Sequence, residues 1–135
     1  MGSLIEVKHL KKYFKTASGQ LHAVDDVSFS IPEGQTLGVV GESGCGKSTL
    51  GRVVLGLLDS TDGEIYFDGE NITNVSTEEF HTLRQKMQII FQDPYSSLNP
   101  RMSVGDIIAE PLQIFGLYPD KIEREEKVKE LMRVV

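Results

Sequence analysis

The sequence has a single cysteine, Cys45, so no disulfide can form within the chain and a reducing compartment is the easier fit. No apolar run approaches the ~18 residues of a membrane-spanning helix. Met1-Gly2-Ser3 leads straight into a strand-like segment, with none of the pattern of a secretory leader. A cytoplasmic placement is therefore expected. A basic excess is also missing: 14 Lys and Arg stand against 20 Asp and Glu, a net charge of −6. That balance argues against a general nucleic-acid or lipid-surface binder. The charge is uneven, because Lys8, Lys11, Lys12 and Lys15 crowd the N-terminal segment, where they read as a solvated strand edge. There is no internal repeat and no low-complexity tract.

What is present is ordinary for a globular chain: 135 residues, 39% hydrophobic and 25% charged, enough for one core without metal or disulfide staples. Residues 4–10 read as a short strand, and 23–31 as a half-buried one with period two from Val27 onward. The turn Pro32-Glu33-Gly34 feeds Thr36-Leu37-Gly38-Val39-Val40, which reads as a buried strand. Leu50, Val53, Val54, Leu57 and Leu58 then recur at helical spacing with Gly51 and Gly56 inside the pattern. Asp62-Gly63 and Asp68-Gly69 bracket residues 64–67 as turn signals. Ser76 or Thr77 with Glu78-Glu79 starts a helix to about Arg84, and Met87 to Phe91 is a second candidate core strand. Residues 92–101 form a loop too long for a mere connector. Ser103 is the expected cap of a helix to Phe115 interrupted by Pro111. A last helix begins near Asp120, with Ile122, Val128, Leu131, Met132 and Val135 on its apolar side and the pairs Glu123/Lys127 and Glu125/Lys129 four apart.

The chemistry concentrates in Gly41-Glu42-Ser43-Gly44-Cys45-Gly46-Lys47-Ser48-Thr49, which matches the phosphate-binding loop pattern in residue type and spacing. A triphosphate needs several backbone N–H donors converging on its oxygens, and glycine permits that curvature with no Cβ in the way. Gly44, Gly46 and the amides of Lys47, Ser48 and Thr49 can supply the nest, and the helix that begins there adds its positive end. Lys47 would place a point charge on the outer phosphates and the Ser48 hydroxyl would ligate magnesium. Gly41, Ser43 and Cys45 complete the loop, Cys45 as a small and unreactive member. The ligand read from this motif is ATP or a similar nucleotide with Mg2+.

The surrounding residues go beyond a generic loop. Tyr13, the stretch Val40 to Leu50, and Gln88-Ile89-Ile90-Phe91-Gln92-Asp93-Pro94-Tyr95-Ser96-Ser97-Leu98-Asn99-Pro100-Arg101-Met102 together resemble the ATP-binding subunits of ABC transporters of the oligopeptide/dipeptide importer type. The resemblance covers nearly the whole chain. It implies an α/β fold, a P-loop core with an antiparallel β subdomain, divided into residues 1–91 and a helical portion over 92–135. It further implies that Tyr13 stacks on adenine and that Gln92 touches magnesium or the attacking water and links the site to the permease. Tyr95, Leu98 and Met102 would be apolar candidates for the permease-docking groove or for packing within the helical subdomain. The implied partners are transmembrane permease subunits and a second ATP-binding subunit, at the inner face of the membrane, and no nucleic acid.

The same resemblance shows what is missing. The family carries a Walker B strand ending in Asp-Glu, a Ser-Gly-Gly signature and a switch histidine, none of which is present; His9, His22 and His81 lie outside the region where that histidine would follow. The expectation is an N-terminal half of a longer ATPase, inactive in hydrolysis alone, with an unpaired edge on Thr36 to Val40 that promotes association. A non-transport ABC ATPase acting on DNA or ribosomes, or a P-loop small-molecule kinase, are the competing readings.

Overall fold

The computed structural model describes residues 2–135. The chain falls into two compact units, one ending at Gln88 and the other running from Ile89 to Val135.

In the first unit, β1 (Ser3–Thr16) and β2 (Gly19–Pro32) form a long antiparallel hairpin closed by a tight turn at Ala17-Ser18. After α1 (Lys47–Val54), β3 (Asp62–Phe67) returns antiparallel along β1, and β4 (Glu70–Asn71) closes the sheet in the order β2-β1-β3-β4. The Asp68-Gly69 turn between β3 and β4 has φ of 49° and 81°, the positive values a two-residue hairpin loop requires. Alternation along the strands carries Val7, Leu10, Val24, Ile65 and Phe67 onto one buried face. Leu50, Val53 and Val54 of α1 and Phe80 of α2 (Thr77–Leu83) pack into the same cluster. Ser76 caps α2 in a full capping box: its hydroxyl accepts from the Glu79 N–H, and the Glu79 carboxylate accepts from the Ser76 N–H at 2.9 Å.

The second unit holds α3 (Val104–Ile114) and α4 (Lys121–Val134), capped by Ser103 and Asp120. Pro111 sits inside α3, where it removes one ladder hydrogen bond without ending the helix. Gly116, at φ 66°, ends it instead: its N–H bonds to the Gln113 carbonyl and that of Leu117 to Leu112.

Several expectations are corrected. Only two of the four lysines lie on a strand edge: β1 is paired on both sides at Lys8 and Lys11, while Lys12 and Lys15 lie beyond, paired with β2 alone. The lysines stay partly solvated by leaning along the surface, Lys8 over the Tyr66 ring at 4.8 Å and Lys12 over Phe14 at 5.1 Å. Asp62-Gly63 opens β3 rather than turning before it; a bulge at His9 (φ 49°) faces Gly63, whose missing side chain makes room for the His9 carbonyl. The helix after the phosphate loop stops at Val54, not Leu58. Gly56, at φ 68°, forms a Schellman stop with Gly56 N–H on Val53 and Leu57 N–H on Arg52, so it terminates the helix rather than interrupting it.

The two apolar runs are the larger departure. Neither residues 36–40 nor 87–91 form a strand, and Val40 is 93% and Ile90 99% exposed. A buried strand needs hydrogen-bonding neighbours on both sides, and none of β1 to β4 pairs with either segment. Helix α4 buries only Val128 of its apolar side, while Ile122 is 72% exposed. Its ion pairs run three apart, Lys127–Glu130 and Lys129–Glu126, in place of the four-apart pairs. Exposed long side chains choose freely between such partners, because each pair is worth only a few tenths of a kcal/mol, about 0.3–0.5.

Candidate functional site: the phosphate loop and its strand end

The phosphate loop runs from Gly41 to the first turn of α1. Cys45 N–H bonds to the Glu42 carbonyl at 3.2 Å, curling the loop, and Gly44 (φ 80°) and Gly46 (φ 82°) bend its backbone through the left-handed region. Gly46 is the N-cap of α1 and brings no side-chain cap; no acidic residue stands in the first turn. The donors and positive end of α1 are therefore left without an internal anion. A Cβ on Gly46 would fall 2.0 Å from the Ala23 carbonyl oxygen, so loop and β2 touch through backbone alone. At Gly41, a Cβ would meet the Cys45 sulfur at 2.6 Å, which gives Cys45 its role as a space-filling neighbour.

Lys47 curls back over the loop, its ammonium donating to the carbonyls of Gly41 at 2.8 Å and Glu42 at 3.2 Å. Those neutral acceptors are weaker than a phosphate oxygen, which would take the same donors in charge-assisted bonds. Ser43 and Ser48 are exposed and Thr49 half-buried. Among the described residues no group of His, Cys, Asp and Glu can hold a metal ion.

Tyr13 lies at the end of the β1–β2 ribbon. Its ring stacks on His22 with centroids 3.8 Å apart and planes 13° from parallel, and its hydroxyl donates to Asp25 at 2.5 Å. That hydrogen bond pushes the phenol up to about 12 and holds the Asp25 carboxyl below the ordinary carboxylate range. One face of Tyr13 is thus already covered. The adjacent aromatic, Phe14, pairs with Leu21 across the ribbon. Strand alternation puts the two on opposite faces.

Gln92 belongs to the second unit and is exposed. The loop after it is built by side-chain turns. Asp93 accepts from Tyr95 N–H at 2.9 Å and from the Ser96 hydroxyl at 2.8 Å, and Asn99 accepts from Arg101 N–H at 3.0 Å. The Ser96 hydroxyl, followed by the two backbone donors, lowers the Asp93 carboxyl below its ordinary value. This turn leaves Tyr95 90% exposed and Leu98 more than half exposed, with Met102 half-buried.

The ABC transporter family model matches residues 24–135. The oligopeptide transport ATP-binding protein OppF of Bacillus subtilis (strain 168) is 55% identical over 133 residues, covering 98% of this chain and 44% of that protein. Its Haemophilus influenzae counterpart is 46% identical, with 98% of this chain and 40% of that protein covered. Among solved structures, the ATP-binding cassette MJ0796, a dimeric post-hydrolysis state bound to ADP and Pi, superposes with a TM-score of 0.81 at 26% identity. That match covers 96% of this chain and 56% of the cassette. The chain thus spans less than half the length of these curated relatives and about half of a solved cassette.

Proposed function

The chain belongs to the ABC transporter family, and from that premise we propose that it is part of an ATP-binding subunit whose nucleotide cycle drives import of oligopeptides or related small solutes. The observation that carries the reading is the loop itself. Two left-handed glycines, an uncapped helix start and a lysine held over the loop together present donors and positive charge at one place. The printed roles of the relatives, oligopeptide transport, supply the solute class.

Within this site, the amides from Gly44 to Thr49 hold the triphosphate and Lys47 neutralises its outer charge. Ser48 would hold magnesium, which would supply charge neutralisation at the outer phosphates; in the importer reading Gln92 would offer its side-chain amide to magnesium or the attacking water. Residues 1–91 serve as the core portion and 92–135 as the helical portion. The base is received at the aromatic strand end. Tyr13 offers the face not taken by His22, with Phe14 the alternative ring. Hydrolysis belongs to the whole protein, with a second ATP-binding subunit and the permease as partners at the inner membrane face. Exposed Tyr95 and Leu98 suit a docking role for the loop after Gln92, as in the importer reading. Among the described residues no helix is long and apolar enough to cross a membrane, so membrane contact would run through such a partner.

The test is Mg-ATP binding measured by calorimetry on the wild type, Lys47→Ala, Tyr13→Ala and Phe14→Ala. Loss of charge-assisted bonds to phosphate, about 1.5–3 kcal/mol, should weaken Lys47→Ala roughly 10- to 150-fold. Whichever ring variant weakens ATP identifies the base platform. Equal affinity in all four proteins sinks the site.

A further inference from the structure

The strand end beside the loop carries a side-chain cluster that nucleotide contact alone does not account for. Tyr13 and His22 are cross-strand partners, and Asp25 reaches both, with Oδ1 on the Tyr13 hydroxyl and Oδ2 3.6 Å from His22 Nδ1. The backbone of Tyr13 is tied as well. Its N–H donates to Thr61 Oγ1 at 2.9 Å, and the Thr61 N–H donates to the Lys11 carbonyl at 2.8 Å.

The sheet narrows to two strands here. Beyond Lys11, β1 has no pairing with β3, and the β1–β2 register slips between Lys12 and Tyr13, leaving Ala23 unmatched across the ribbon. A bulged two-stranded ribbon is marginal by itself. Yet the carbonyl of that same Ala23 packs against Gly46, the last glycine of the phosphate loop. Any drift of residues 22–25 therefore moves the strand end relative to the phosphate nest. The cluster is exposed or half-buried and adds little to the core, so its contribution is geometric.

Resting on the nucleotide-binding reading above, we infer that His22 and Asp25 are positioning residues: by clamping Tyr13 they hold the aromatic strand end in register with the phosphate loop, so that base and phosphates of one nucleotide are received at a fixed separation. Because consecutive strand residues face opposite sides, fixing Tyr13 also fixes how Phe14 presents its ring. The device serves whichever of the two rings meets the base. It should favour a nucleoside triphosphate over a bare polyphosphate, since only the former engages both places at once.

The experiment compares Mg-ATP with Mg-tripolyphosphate on the wild type, His22→Ala, Asp25→Asn and His22→Phe. His22→Ala and Asp25→Asn should weaken ATP about five- to tenfold, the size of one net hydrogen bond, with tripolyphosphate affinity unchanged within about twofold. His22→Phe keeps a ring for Tyr13 and should restore ATP affinity over His22→Ala. Unchanged ATP affinity in both disabling variants overturns the inference, as does a parallel loss for both ligands, which would mark general destabilisation. A wild type that binds neither ligand would overturn the nucleotide-binding reading itself.

Discussion

Replacing Gly46 with alanine tests the contact on which the phosphate loop is built. Two costs add at this position. The residue sits at φ 82°, where an L side chain meets its own backbone at about 1–2 kcal/mol. The new Cβ would also fall 2.0 Å from the Ala23 carbonyl oxygen, so about an ångström of movement is needed to reach even a tight contact. Neither partner can yield cheaply. Ala23 is flanked by the buried, paired Val24, and α1 is anchored by the buried Leu50 and Val53. Overpacking of this kind costs about 1–3 kcal/mol, giving a total of roughly 2–5 kcal/mol. Two neighbours serve as internal standards. Gly44 shares the left-handed geometry, φ 80°, but has nothing within 4 Å, so Gly44→Ala should lose only about 1–2 kcal/mol. Gly51 lies inside α1 with open space around it, and Gly51→Ala should gain up to about 1 kcal/mol from helix propensity. Urea unfolding followed by far-ultraviolet circular dichroism ranks the three. If Gly46→Ala is no more destabilising than Gly44→Ala, the close approach of loop and strand is wrong.

Three further outcomes are expected. Ser76→Ala should cost about 1 kcal/mol in urea unfolding at neutral pH through loss of the α2 cap. The Ser76 N–H, then its hydroxyl, depress Glu79 below its ordinary 4.5, so the Glu79 contribution is present above pH 4.5 and lost as pH falls through the lower folded value. Ser76→Ala removes only the hydroxyl's bond to that carboxylate and keeps the backbone one, so this part of the gap should fade in acid, and a constant gap would contradict the Ser76 hydroxyl–Glu79 bond. Spectrophotometric titration should find one of the four phenols ionising near 12, moving back toward 10 in Asp25→Asn. Since folding raises this phenol, its stabilisation is complete below pH 10 and lost between 10 and 12; an unmoved titration in Asp25→Asn would refute the Tyr13–Asp25 bond. Val40, 93% exposed in a segment that pairs with none of β1 to β4, should drive self-association that Val40→Lys reduces. A concentration-independent monomer in small-angle scattering of the wild type would count against that.

The local elements were legible because their causes are local. Asp68-Gly69 must turn where two positive φ values are needed, and Ser76 with Glu79 satisfies its own helix start. The left-handed bends at Gly44 and Gly46 and the helix start at Lys47 follow the glycine spacing for the same reason. The helix end at Gly56 is not legible in the sequence, because the periodicity of Leu57 and Leu58 continues past the point where backbone geometry stops it. The Tyr13–His22–Asp25 cluster was invisible, because it depends on which residue faces which across the ribbon and on a register slip that pattern alone does not fix.

By itself, then, the sequence determined the glycine-rich loop and the helix start after it, the Asp68-Gly69 turn, the helix caps and, through the residues around Gln92, the family. These are properties of short stretches whose chemistry is complete within a few residues. Tertiary structure alone decided that β1 lies inside the sheet, that Gly46 must lack a side chain because β2 passes beside it, and that Val40 and Ile90 stand exposed. Those outcomes turn on pairing between distant segments. An apolar run declares that it can be buried, but only hydrogen-bonding neighbours on either side make it a strand.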